Sequence, residues 1–133
     1  MNNPSPIHVS CAIIECNGQV LAAQRGQHTS NAGKWEFPGG KIEKGETSET
    51  CLRREILEEL AIGITITASL PAFTHHYPDR TICLHPFVCS YNGAPVIAGE
   101  HQKIVWLAPE EIPKLNWSEA DIKVWEYYLQ EYL

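Results

Sequence analysis

Hydrophobic and polar positions along this chain change period several times, and the changes mark out its elements. Residues 7–16, IHVSCAIIEC, are rich in strand-favouring side chains, and Asn17-Gly18 follows as a hairpin signal. The segment 19–25, QVLAAQR, reads as the returning strand. A polar loop, HTSNAGK, leads into WEFPGGKIEKGE, where Pro38, Gly39, Gly40 and Gly45 argue against any regular element. Thr47 is then the N-cap of a helix running to about Leu60, with Glu49 favourable in its first turn. Leu52, Ile56, Leu57 and Leu60 recur at helical spacing and form its buried stripe. GITITASL, 63–70, alternates as a strand, and RTICLHPFVCSY, 80–91, gives another, with Pro86 pointing to an edge or a bulge. Asn92-Gly93 marks a turn before the strand KIVWL, 103–107. Ser118 with Asp121 predicts a capping box opening a second helix through about Tyr128. The order of strands, helix, strands, helix predicts a mixed α/β domain over residues 1–133, with helices packed on a sheet.

Composition narrows the class. A chain of 133 residues with 44% hydrophobic and 20% charged side chains is neither disordered nor membrane-like in composition. No apolar run approaches the roughly 20 residues of a membrane helix, and MNNPSPIHVS lacks the signature of a signal peptide. Five cysteines (Cys11, Cys16, Cys51, Cys83, Cys89) form no CxxC pair and read as reduced thiols. A cytoplasmic protein without a membrane partner is expected. The net charge of −6, with no basic run, argues against a nucleic-acid polymer as partner. An anionic ligand would need local arginines or a metal.

The stretch RREILEEL, 53–60, breaks a local rule. On a helix, Glu55, Glu58 and Glu59 share one face at i, i+3 and i+4, where like charges repel. At about 4 Å and an effective dielectric near 20, two such charges cost roughly 4 kcal/mol. Cations relieve that cost, and hard oxygen donors suit Mg²⁺ or Mn²⁺. Gly39 and Gly40 allow backbone to approach a metal or phosphate closely, and Arg54 can orient Glu55 by a paired hydrogen bond. Magnesium with phosphates is the natural chemistry of such a set.

Gly40, Glu46, Arg54, Glu55, Ile56, Glu58, Glu59 and Ile62 stand at the spacing of the Nudix box, and the chain resembles the Nudix hydrolases. Ala61 departs from the pattern, because the family has glycine there to end the helix with positive φ. An alanine in that conformation costs on the order of 1 kcal/mol, and Gly63 offers a later turn. EFPGGKIEKGE (36–46), AQR (23–25), YPDR (77–80) and GEHQ (99–102) extend the likeness to the MutT branch, over roughly residues 7 to 128. The resemblance implies an α/β/α sandwich with a mixed, curved sheet. It implies a Mg²⁺-dependent enzyme, with Mn²⁺ as substitute, acting on nucleoside triphosphates in nucleotide-pool sanitising. It further implies Glu55, Glu58 and Glu59 as metal ligands, joined by the Gly39 carbonyl and by Glu100. Arg25 would reach the triphosphate; Phe37, Asp79 and Arg80 would surround the base, and Asp121 would read its polar edge. General-base duty falls to Glu55 or Glu100, with Arg54 and Glu46 as supports. The products would be a nucleoside monophosphate and pyrophosphate. An 8-oxo-dGTP-type substrate is favoured, with CTP or a modified dCTP, or a non-hydrolytic nucleotide sensor, as alternatives. A monomer or weak dimer is expected.

Several of these residues have competing structural readings. YPDR is also a turn, with Pro78 setting φ and Asp79 bonding nearby amides. Asp121 also closes a capping box, and Phe37 also suits the core. His75-His76 do not suggest a shared metal, because neighbours in a strand face opposite ways.

Overall fold

A computed structural model of the chain describes residues 5–99, 101 and 103–133. In chain order its elements are β1 (Ile7–Cys16), β2 (Gln19–Gln24), β3 (Trp35–Glu36), β4 (Gly39–Lys41), α1 (Ser48–Leu60), β5 (Thr65–Ser69), β6 (Phe73–Tyr77), β7 (Arg80–Ser90), β8 (Lys103–Leu107), a 3-10 helix (Pro109–Lys114) and α2 (Glu119–Tyr132). The strands form one mixed sheet with β1 at its centre. β1 runs parallel to β7 from Ile7↔Ile82 to Glu15↔Ser90 and pairs antiparallel with β2 and β4 along its other edge. Asn17 and Gly18 both take positive φ, as a two-residue hairpin of this hand requires.

Alternation along β1 divides the core in two. Ala12 and Ile14 face α1, where they pack with Leu52, Ile56, Leu60 and Phe87. Cys11 and Ile13 face α2 and meet Leu84, Val88, Val124 and Tyr128. Both helices therefore cover the sheet, one on each side, as the resemblance implied. The five cysteines are free. Among the described residues no helix is long and apolar enough to cross a membrane.

The structure corrects several expectations. The glycine-rich segment does contain a regular element, since β4 pairs Gly39 with Cys11 and Gly40 with Ser10. Leu57 is 59% exposed and lies outside the buried stripe, which instead gains Cys51. It sits about 100° round the helix from Ile56, past the edge of the sheet-facing side. Pro86 occupies an interior strand rather than an edge. Its carbonyl accepts from Leu70 N–H, so its nitrogen faces the same side, at the gap between β5 and β6, where no ladder partner stands. The missing N–H therefore costs no sheet bond.

Ala61 takes the left-handed conformation itself (φ 56°, ψ 33°), and its N–H donates to the Leu57 carbonyl. Gly63 does not serve as the later turn, because it is not among the positive-φ residues. The strain is thus retained at an exposed alanine. Ala61→Gly relieves the ~1–2 kcal/mol of left-handed strain and loses roughly 0.5–1 kcal/mol to chain flexibility. The expected net gain is about 0.5–1 kcal/mol, read as a Tm a few degrees higher. An unchanged or lower Tm would show that Ala61 carries no such strain.

Candidate active site

The acidic face of α1 is held against the sheet by close backbone approach. A Cβ at Gly40 would lie 2.2 Å from the Glu55 carboxyl carbon, and one at Gly39 would lie 1.9 Å from the Ser10 carbonyl oxygen. The backbone clash makes glycine a requirement at Gly39, whereas at Gly40 a side chain would displace the Glu55 carboxylate, which lies directly over β4. Thr47 caps the helix, its Oγ1 accepting from Thr50 N–H at 3.1 Å, and so fixes the angle at which α1 leaves the loop.

Arg54 organises the carboxylates. Its Nε and Nη2 donate to the two oxygens of Glu46 at 2.7 and 2.9 Å, a bidentate pair, and Nη1 donates to Glu55 at 2.9 Å and to Glu58 at 3.3 Å. Glu46 also accepts from Glu43 N–H. Chiefly through the Arg54 hydrogen bond, the Glu46 carboxyl is held down at about 2. A depressed carboxyl contributes stability that is present above its ordinary value and lost as pH falls through the folded one. The Tm gap between the wild type and Glu46→Gln should therefore be widest above about pH 5 and close as pH falls toward 2. Thermal unfolding across that range checks it, and a constant gap would mean that the lock does not involve Glu46 ionisation.

Glu55 and Glu59 are largely buried, whereas the Glu58 side chain is 60% exposed and turned onto Arg54. The donors are all carboxylate oxygens, with the Gly40 cradle beside them, which fits a hard divalent cation. Glu58 would have to leave Arg54 to join the other two. Glu100 lies outside the described residues.

Next to this face is a cleft of about 390 Å³ whose lining includes Arg25, Phe37, Gly39, Tyr77, Arg80 and Asp121. Arg25 Nη1 pairs with Glu36 at 2.7 Å, and its Nε donates to the Ser30 carbonyl at 2.6 Å. Arg80 lies over the Tyr77 ring, 4.5 Å from its centroid. Phe37 packs on Trp117, with ring centroids 4.8 Å apart. Asp79 is not in the lining: it points outward, 71% exposed, and accepts from Arg80 rather than from backbone amides.

Asp121 does not close a capping box. Ser118 makes no side-chain cap bond, and Asp121 Oδ2 instead accepts from Phe37 N–H at 3.0 Å, across the cleft floor. Burial, and then the nearby charge of Glu36, push the Asp121 carboxyl well above its usual range. A carboxyl raised in this way offers an O–H donor beside a C=O acceptor.

Sequence reasoning missed Glu36 and His101. His101 Nε2 donates to Glu36 Oε2 at 2.9 Å, and its Nδ1 lies 3.6 Å from Glu59 Oε2 without forming a hydrogen bond. Burial draws the imidazole pKa down, but Glu36 and Glu59 outweigh it and hold the pKa above the ordinary value. Through Glu36 this histidine ties the Arg25 side of the cleft to the glutamate face. Both residues lie in segments that carry the resemblance, yet neither spacing nor periodicity marks them.

Comparison with known proteins bears on the family and the fold. The NUDIX domain family model matches residues 4–128. A CTP pyrophosphohydrolase from Escherichia coli K12 is 39% identical over 124 residues, covering 92% of this chain and 91% of that protein. An 8-oxo-dGTP diphosphatase from Proteus vulgaris is 38% identical over 89 residues, covering 66% and 80%. The crystal structure of a MutT protein from Methanosarcina mazei Go1 superposes with a TM-score of 0.88 over 98% of both chains at 24% identity, a likeness of fold.

Proposed function

The chain belongs to the NUDIX family, a family of divalent-metal hydrolases, and from that premise we propose that it converts a nucleoside triphosphate to the monophosphate and pyrophosphate with Mg²⁺. The observation that carries the reading is the adjacency of the Glu55–Glu59 face to a cleft lined by Arg25, Phe37, Arg80 and Asp121. A divalent ion held by Glu55, Glu58, Glu59 and the Gly39 carbonyl would neutralise phosphate charge and sharpen a water into a nucleophile. Arg25 reaches the phosphate oxygens, and Phe37 borders the base with Arg80, which lies over the Tyr77 ring. Arg54 keeps Glu55 in one orientation, so that Glu55, or Glu100, accepts the proton of the attacking water. Water attacks phosphorus, and the P–O bond to the pyrophosphate group breaks.

The base is read by Asp121 as a neutral acid. Its donor–acceptor pair complements the Hoogsteen edge of 8-oxoguanine, where oxidation turns the N7 acceptor of guanine into an N–H donor beside O6. An 8-oxo-dGTP-type substrate is therefore favoured. The same pair complements N3 and the exocyclic amine of cytosine, and the near full-length likeness to a CTP pyrophosphohydrolase favours that second reading. Product analysis with Mg²⁺ and a panel of 8-oxo-dGTP, dGTP, CTP, 5-methyl-dCTP and ADP-ribose tests both. Monophosphate and pyrophosphate released from one triphosphate would support the proposal and name the base. Tight binding of a nucleotide without turnover would replace the enzyme with a sensor.

A further inference from the structure

Away from the cleft, β1 and β7 bring three metal-binding side chains together. Their parallel register sets His8 beside Cys83 and Ser10 beside His85, so His8, Cys83 and His85 share the α1-facing side of the sheet. Helix α1 does not reach them. Ser10 donates to the carbonyl of Ser48, the first residue of α1, so the helix begins over Ser10, and His8 lies one strand repeat beyond it. The result, among the described residues, is an imidazole pair and a thiol on the sheet beyond the start of α1. His8 is exposed, His85 half-buried and Cys83 buried.

The ligand atoms converge. His8 Nδ1 and His85 Nε2 are 2.9 Å apart, and both lie within 4.8 Å of Cys83 Sγ and of each other. Zinc bond lengths of roughly 2.0–2.1 Å to nitrogen and 2.3 Å to sulfur give tetrahedral edges of about 3.3–3.7 Å. Small side-chain rotations on fixed strands would bring the three donors to that triangle. Two protonated imidazoles could not share this contact, since each would present only N–H.

We propose that His8, Cys83 and His85 form a binding site for a borderline divalent d-block ion of the Zn²⁺ type, with an open fourth position toward solvent at His8. Thiolate and imidazole select such an ion over Mg²⁺, so the site is chemically distinct from the carboxylate face and independent of the nucleotide reading. Binding joins β1 to β7 and releases the thiol proton from Cys83.

Co²⁺ is the probe, because a cobalt–thiolate bond has a near-ultraviolet charge-transfer band that carboxylate ligation lacks. The reduced full chain is stripped of metal and titrated with Co²⁺ under excess Mg²⁺, which saturates oxygen sites, and Zn²⁺ is then added in competition. One equivalent of tetrahedral Co²⁺ with the thiolate band, displaced by Zn²⁺, is expected. Cys83→Ser should abolish the band. His8→Ala, a change at an exposed side chain, should weaken Zn²⁺ at least about tenfold, the lower bound for loss of even an outer-shell partner, while leaving Mg²⁺-dependent hydrolysis unchanged. No thiolate band in the wild type, or a band and Zn²⁺ affinity untouched by His8→Ala, overturns the proposal. So does a band that persists in Cys83→Ser, which would place the metal at another cysteine.

Discussion

Glu58→Gln is expected to lower kcat by about 10³-fold or more, a loss of ~4 kcal/mol in transition-state stabilisation, while changing the Tm little. In the structure Glu58 is mostly exposed and its side chain touches Arg54 at 3.3 Å, an i,i+4 pair on the helix surface. Such a pair is worth only a few tenths of a kcal/mol, and exposed substitutions generally stay within about 0.5 kcal/mol. A large kinetic loss beside a small stability change therefore isolates chemistry from folding. Glutamine keeps the shape and one oxygen but removes the charge that a divalent ion needs. The apparent Mg²⁺ affinity should weaken in the same variant, so activity measured across a Mg²⁺ series shows a displaced midpoint as well as a lower plateau. Unchanged turnover at saturating Mg²⁺ would return Glu58 to the status of a solvated helix charge and break the proposed ligand set.

What the sequence disclosed follows from how local the governing physics is. The Asn17-Gly18 hairpin, the Thr47 cap and the α1 stripe at Leu52, Ile56 and Leu60 depend on a few neighbouring residues, and each formed where the pattern put it. The box was legible for the same reason, since Glu46, Arg54 and the glutamates act across one loop and one helix. Features set by distant chain segments were not legible. β4 exists because Gly39 can lie against β1 without a side chain, while Gly40 leaves room for the Glu55 carboxylate, so residues that look like breakers suit a strand here. Pro86 reads as an edge or bulge signal, yet it is tolerated inside a strand because β5 ends before it and β6 begins beyond it. The Glu36–His101 contact joins residues 65 positions apart, and the Asp121–Phe37 bond joins residues 84 apart. Nothing in the local spacing of Asp121 separates a helix cap from a group on the cleft floor. The fold decides this by spending its carboxylate on the Phe37 amide.

Asp121 accordingly carries the second large effect. Asp121→Ala leaves the buried Phe37 N–H unpaired, at a cost of about 1–3 kcal/mol in stability, and removes the group proposed to read the base. Loss of one bidentate base contact is worth ~1–3 kcal/mol, or roughly 5–150-fold in kcat/KM for the preferred triphosphate over its competitors. Asp121→Asn separates the two roles, because an amide oxygen still accepts from Phe37 and the NH₂ donates where the acid O–H did. It should keep most of the selectivity and differ from the wild type mainly in pH dependence. The sign follows from the raised pKa of Asp121 in the folded state. The native state holds the proton more tightly than the unfolded chain, so this stabilising term is full below the unfolded value and is lost as pH rises through the folded one. The neutral acid that pairs with the base disappears over the same upper range. Wild-type kcat/KM for the preferred base should therefore fall as pH rises through the Asp121 transition, while Asp121→Asn stays flat in that limb, and the variant's relative Tm should improve toward alkaline pH. Matching pH profiles for the two proteins would mean that Asp121 binds the base, if at all, as a carboxylate, and the balance would tip from the Hoogsteen edge of an oxidised purine toward bases that present only donors.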